Sequence, residues 1–373
     1  MTSHLLVDSE SALADFLRAL DASRDEDVPL DTEADSFHHY FEKVCLLQLA
    51  VSGRAALVDP LALSRETVAP LVARLQERTL LLHGADFDLR LLYRAFGFRA
   101  RRIFDSMIAA QLLGEKEVGL SALLQARVGV TLDKAHQRAD WSERPIPPER
   151  VAYAAADVLH LPALVASLKR DLEAAGRLAW HEEECRRLTA LPLDATPDDP
   201  ENDWRIKGTN ALSSRERAYA RTLWEVREAR AKELDRPPFR VLTNDRLLAA
   251  AKAAAAGEND LAKLFPGPRP LPTPFARSVR EAIERARAVP PEAWPLPKRG
   301  ERMDADPALE RVVDRLKKKR DEKAQALKLD PGVLASRGVL STLARALLVD
   351  PRLAGPALAE ATGVSRWRVE QLL

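Results

Sequence analysis

Residues 189–203, TALPLDATPDDPEND, set prolines among acidic and small residues and carry no apolar periodicity. Such a stretch neither propagates a helix nor joins a sheet, so it reads as a linker. It divides a chain of 373 residues, too long for one ordinary core, into halves of different pattern. Before it lie short runs of strand character at 27–33, 44–51, 55–59 and 79–83. Helical stretches at 11–22, 64–76, 86–96, 105–113, 120–125 and 148–175 surround them. Strands first, then alternation with helices, predict a mixed α/β sheet. After the linker no convincing strand follows. A helix over 213–234 carries an apolar stripe through Ala218, Leu223, Trp224 and Val226. Helices at 244–256 and 274–288 complete one small all-α module, with a stiff proline loop at 265–274. A second proline-rich join, 289–307, leads to helices at 308–327, 338–349, 355–361 and 365–373, a second all-α module.

Hydrophobic residues make up 46% and charged residues 30% of the chain, the balance of a folded protein rather than a disordered one. No apolar run is expected to approach the roughly 18–20 residues that span a bilayer. The first ten residues lack a basic, apolar and cleavable leader, so secretion is not expected. Two cysteines, Cys45 and Cys185, cannot make a disulfide scaffold or a cysteine-based zinc site and fit a reducing cytoplasm. The net charge of +1 hides an asymmetry. Residues 1–200 hold 23 Lys and Arg against 32 Asp and Glu, whereas the remainder holds 34 against 24. The acidic half suits cations and the basic half a polyanion.

Three motifs carry chemistry. In Asp31-Thr32-Glu33, at the end of the first predicted strand, residues two apart share a side, so two carboxylates stand together. Their repulsion is relieved by a hard divalent cation. In HGADFDLRLL from His83, Asp88 falls in the first turns of a helix, with Asp86 as the competing candidate. In Tyr153-Ala154-Ala155-Ala156-Asp157, the tyrosine and aspartate are four apart on one helical face, separated by small residues that allow close approach.

The order of these motifs resembles the DEDDy 3′–5′ exonuclease superfamily. LDTE at 30–33, HGADFDLRLL, TLDKAHQRADW from Thr131 and RPIPPERVAYAAADV from Arg144 resemble the ribonuclease D family within it, over about residues 5–185. The all-α half resembles paired HRDC modules. The resemblance implies a ribonuclease-H-like α/β exonuclease domain over 1–190 and a linker at 191–206. It implies HRDC modules at 207–288 and 307–373, joined by a proline-rich linker at 289–306. It also implies metal ligands at Asp31, Glu33, Asp88 and Asp157, with Tyr153 holding the attacking water. The related subfamily with histidine five residues before the last aspartate is set aside, because that position is Ala152. None of the five positions is substituted.

The implied activity is a 3′–5′ exoribonuclease using two divalent ions, Mg²⁺ or Mn²⁺, in hydrolysis of RNA 3′ ends such as those of tRNA precursors. A cytoplasmic monomer is expected, with no membrane partner. The alternatives are a 3′–5′ DNA exonuclease acting on single-stranded DNA and an inactive nucleic-acid-binding adaptor. Phe37, His38, His39 and Tyr40 are candidates for stacking on a terminal base, and His83 reads as a strand-end packing residue. For phosphate contact the candidates are Arg215, Arg217, Arg221, Arg227, Arg230 and Lys232 in the first module. In the second they are Lys317, Lys318, Lys319, Arg320, Arg366 and Arg368, the last two flanking Trp367.

Overall fold

The computed structural model describes residues 4–23, 26–132, 135–193, 199, 201–268, 270–296 and 306–373. Asp133 and Lys134 of the TLDKAHQRADW motif, with parts of both linkers, lie outside the described residues. The chain forms two compact units: Met1–Ala34 with Val44–Leu193 and Met303–Leu373, and Asp35–Lys43 with Asp194–Arg302.

The first unit is built on a six-stranded mixed sheet: β1 (His4–Val7), β2 (Asp27–Ala34), β3 (Val44–Val51), β4 (Arg54–Val58), β5 (Thr79–Leu82) and β6 (Arg102–Asp105). The spatial order is β1-β4-β3-β2-β5-β6. The β2–β3–β4 meander is antiparallel, and β1, β5 and β6 join it in parallel pairings. β3 is buried along its whole length, which explains a sequence apolar at every position but Gln48. The edge strands β1 and β6 escape the sequence reading because each has four residues and one paired neighbour.

Helices α1 (Glu10–Ala22), α2 (Arg65–Gln76), α3 (Asp86–Phe96), α4 (Ser106–Leu113), α5 (Leu120–Val128), α6 (Pro148–Leu159), α7 (Leu161–Ala174) and α8 (Leu178–Thr189) flank the sheet. Side chains of Ser9, Ser64 and Asp105 cap the starts of α1, α2 and α4. The stretch expected as one helix at 148–175 is broken at His160 into α6 and α7, with Pro162 tolerated in the first turn of the latter. Contrary to expectation, Pro148–Ala174 is apolar and long enough to cross a membrane by length and composition. Half of its apolar window is nevertheless buried inside the protein, with Ala154, Ala155, Val158, Leu161, Leu164 and Leu168 in the core. α8, missed because its sequence is dominated by charge, buries His181 and Cys185.

The C-terminal helices of this unit are α14 (Pro307–Leu327), α15 (Pro331–Leu334), α16 (Arg337–Val349), α17 (Gly355–Thr362) and α18 (Arg366–Leu372), numbered after the five helices of the second unit. They enclose a small core of Leu309, Val313, Leu316, Leu340, Leu343, Leu358 and Val369. A second apolar patch, Ala324, Leu329, Leu334 and Trp367, joins the core of the nuclease helices. Trp367 stacks on Trp180 of α8 at 4.6 Å between ring centroids. Glu184 accepts from Ser365 Oγ, Trp367 Nε1 and Arg368. Arg368 is therefore engaged by α8, not free for phosphate, whereas Arg366 gives only its backbone amide to Glu183 and its exposed side chain pairs with Glu370. Arg320 bonds the Ala335 carbonyl, whereas Lys317 and Lys318 remain exposed.

In the second unit, α9 (Ser214–Glu233), α10 (Pro238–Val241), α11 (Asn244–Ala255), α12 (Leu261–Leu264) and α13 (Thr273–Ala288) pack around Trp204, Tyr219, Leu223, Leu247 and Phe275. A capping box of Ser213 and Glu216 starts α9. Two expected phosphate contacts are corrected here, because Arg217 and Arg227 are buried. Arg217 bonds the carbonyls of Thr209 and Asn210, and Arg227 bonds Asn244 and Glu228. Residues 35–43 pack on α9. Asp235 accepts from the Tyr40 and Phe41 amides and pairs with His39, and Tyr40 Oη donates to Glu228. His39 and Tyr40 are thus anchors of this segment, while Phe37 is 47% exposed.

Candidate active site

The sheet, the helix starts and the residues after β6 converge at the end of β2. Asp31 and Glu33 leave one face of this strand, paired in register with Gln48 and Leu46 of β3. Thr32, on the opposite face, is buried, and its hydroxyl donates to Asp88 Oδ1. Asp88 is the third residue of α3 and is buried. Its placement depends on the preceding turn, where Gly84 adopts φ +75°, a left-handed conformation that favours glycine. Asp105 grips that turn, accepting the amides of Gly84 and Ala85 at 3.0 and 2.8 Å, and also caps α4 through Met107. Asp86, by contrast, is exposed and pairs with Arg90. His83 donates Nδ1–H to Ser106 Oγ, whose own proton goes to the Leu82 carbonyl.

α6 brings Tyr153 and Asp157 over the same face, and the tyrosine hydroxyl hydrogen-bonds the aspartate. The ligand oxygens of Asp31, Glu33 and Asp157 lie within 4.8 Å of one another. Asp88 stands beside them, close enough for its charge to act on Glu33, with its carboxylate turned to Thr32. Asp31, Tyr153 and Asp157 line a cavity of about 340 Å³ that is also walled by His83, Leu132 and Gln137. The uncapped start of α5, Gly119 to Ala122, borders the same cavity and turns the positive end of its dipole toward it.

The Tyr153 ring is held by two residues whose role the motif spacing did not disclose. His136 approaches it edge-on at 5.8 Å, and buried Trp141 lies at 6.0 Å. Arg144 fixes Trp141 in turn. Its guanidinium bonds the Trp141 and Cys45 carbonyls and forks onto Asp59 at 2.6 and 2.8 Å. Both His136 and Trp141 lie in the TLDKAHQRADW stretch, which the family resemblance marked without assigning their work.

Electrostatics single out these carboxylates. Burial pushes Asp31 up to about 6, partly offset by the Thr32 amide. Burial and then the charges of Asp31, Asp157 and Asp88 push Glu33 up to about 10. Asp157 rises to about 8 through burial and Asp31, and Asp88 rises for the same reasons. Among the described residues none of the four makes an ion pair. A cluster of carboxyls with no cationic side chain fits hard divalent cations, which prefer carboxylate oxygen and favour the ionised form. Burial and the neighbouring carboxylates also raise the Tyr153 phenol, which therefore stays protonated.

Known proteins share this fold. A family model described as 3′–5′ exonuclease matches residues 5–173, and an HRDC domain model matches 216–271. The fold and site thus define a nuclease of the divalent-metal-dependent 3′–5′ exonuclease class with an appended HRDC region. Ribonuclease D of Gluconacetobacter diazotrophicus is 33% identical over 285 residues, 74% of this chain and 71% of the relative. That of Zymomonas mobilis is 32% identical over 312 residues, 81% and 77% of the two chains. The crystal structure of Escherichia coli RNase D superposes with a TM-score of 0.71 at 26% identity, covering 99% of this chain and 96% of that one. The chain belongs to the ribonuclease D family and is a 3′–5′ exoribonuclease.

Proposed function

We propose that Asp31, Glu33, Asp88 and Asp157 hold two divalent cations, Mg²⁺ or Mn²⁺, and that Tyr153 orients the water that attacks the terminal phosphodiester. The observation that carries this reading is the convergence of three carboxylates within 4.8 Å beneath a protonated tyrosine. Divalent cations, when bound, neutralise charge at the phosphate and lower the pKa of water. The chain's own groups do the rest. Tyr153, steadied by His136 and Trp141, offers its hydroxyl as a hydrogen-bond donor and does not remove a proton. Thr32 fixes the Asp88 carboxylate from behind.

The proposed substrates are structured RNAs, tRNA precursors among them, shortened from the 3′ end. The E. coli relative, described as an exoribonuclease involved in structured RNA processing, supports this choice. The modules at 207–288 and 307–373 would hold RNA through exposed cations such as Arg215, Lys317 and Lys318. Two buried free thiols, Cys45 and Cys185, are in keeping with a reducing cytoplasm. The test is a time course on 3′- and 5′-labelled RNA and single-stranded DNA, with Mg²⁺, Mn²⁺ or chelator. The expected pattern is stepwise loss from the 3′ end of RNA that stops in chelator. Asp88→Asn should abolish it without loss of fold, and full activity of that variant would refute the assignment.

A further inference from the structure

One polar side chain beside the acidic site has no work assigned to it. Gln48, in the middle of β3, is fully buried, and neither its amide nitrogen nor its oxygen has a hydrogen-bond partner among the described residues. Buried amides are seldom left unpaired, because desolvation is then uncompensated. The place of this one is specific. In the antiparallel pairing of β2 and β3, Gln48 stands directly opposite Asp31, so both side chains leave the same face with Cβ atoms about 4.5–5.5 Å apart. On its other side it faces Leu57 of β4, which packs with Leu46, Tyr153 and Ala154. The amide therefore lies beneath α6, with hydrocarbon on one flank and Asp31 on the other. Asp31 itself accepts the Thr32 backbone amide and, among the described residues, no side-chain donor.

We propose that Gln48 is a positioning residue: its amide nitrogen, unpaired among the described residues, turns to donate to the Asp31 carboxylate when a divalent cation is held there, and so fixes which of its oxygens is presented to the cation. The proposal rests on the reading of Asp31 as a ligand. A carboxylate held at one oxygen loses its rotational freedom, and partners of this kind set the affinity and orientation of the ligands they touch. A side chain that merely fills space under α6 would not.

Gln48→Met separates the two roles in the full-length chain, because methionine matches the length of glutamine without polar atoms. With Mn²⁺ alone as the probe, thermal shift should show the variant melting at or above the wild type in chelator. The Mn²⁺ midpoint should rise by about 10-fold or more, and kcat on RNA should fall while KM holds. A midpoint within about two-fold of the wild type, alongside a normal wild-type response, overturns this proposal alone. No Mn²⁺ response in the wild type sinks the ligand assignment and this proposal with it. The unaltered protein gives a second measurement. In crystals grown with Mn²⁺, Gln48 Nε2 should lie about 2.9 Å from an Asp31 carboxylate oxygen. A separation beyond about 3.5 Å overturns the proposal.

Discussion

Replacing Asp157 with asparagine should stabilise the metal-free protein while it removes hydrolysis. Unit charges 4.8 Å apart, the span of the Asp31, Glu33 and Asp157 oxygens, repel by about 3 kcal/mol at an effective dielectric of about 20. Burial, then the charge on Asp31, lifts Asp157 from 3.8 to about 8. A folded-state pKa above the unfolded one means that the folded protein keeps a proton the unfolded chain releases. The carboxyl therefore costs no stability below about pH 4, costs more as the pH climbs toward 8, and levels off beyond. That shift bounds the effect at about 6 kcal/mol. The asparagine amide must still be buried, and solvent relaxes the site. A net gain of about 2 kcal/mol at pH 8 is the working figure, or about 4–8 °C in melting temperature for a unit of this size. Melting followed by circular dichroism in chelator, at pH 5 and pH 8, reads it out. The gain should be small at pH 5 and several degrees at pH 8, and Mg²⁺ should stabilise the wild type far more than the variant. A variant that melts at or below the wild type at pH 8, or gains equally at both pH values, refutes the reasoning.

Three further expectations follow from single contacts. Arg144→Lys cannot reproduce the fork onto Asp59 and the carbonyls of Trp141 and Cys45. It should lower kcat about 10-fold with little change in KM, measured on a labelled oligoribonucleotide. Gly114→Ala puts a Cβ onto the Lys328 carbonyl at a positive-φ position, so it should cost about 1–3 kcal/mol in urea unfolding. Burial raises Glu184, but hydrogen bonds from Arg368, Ser365 and Trp367 more than offset this, and its carboxyl sits below the usual range. Its contribution is present above the ordinary glutamate pKa and is lost as the pH falls through the depressed value. Glu184→Gln should therefore destabilise the protein by about 1–3 kcal/mol at pH 7 and progressively less in acid, read by melting across pH.

What the sequence reveals here tracks how local the determinant is. α3 is read to the residue, because its apolar stripe and the glycine after Phe96 are contained in the helix itself. Asp31 and Glu33 are readable because a strand's alternation alone puts them together. The four-residue strands β1 and β6 are not, since only their neighbours' hydrogen bonds define them. Nor are the burials of Arg217 and Arg227, whose partners besides Glu228 are carbonyls and an amide that no charge pattern records. The largest gap is the docking of α14–α18. Each half of that interface looks like a solvated helix: α8 carries Glu182, Glu183 and Glu184, and α18 carries Arg366 and Arg368. Only together do they bury a carboxylate under three donors beside a tryptophan stack. A cut in 189–203, the natural place to separate catalysis from RNA tethering, would also strip Leu329, Leu334 and Trp367 from the nuclease core. Loss of activity on such a cut would report a damaged core as readily as a lost tether. Tethering is better tested by charge reversal at the exposed Lys317 and Lys318, where the slope of RNA affinity against salt should fall and the melting temperature should not.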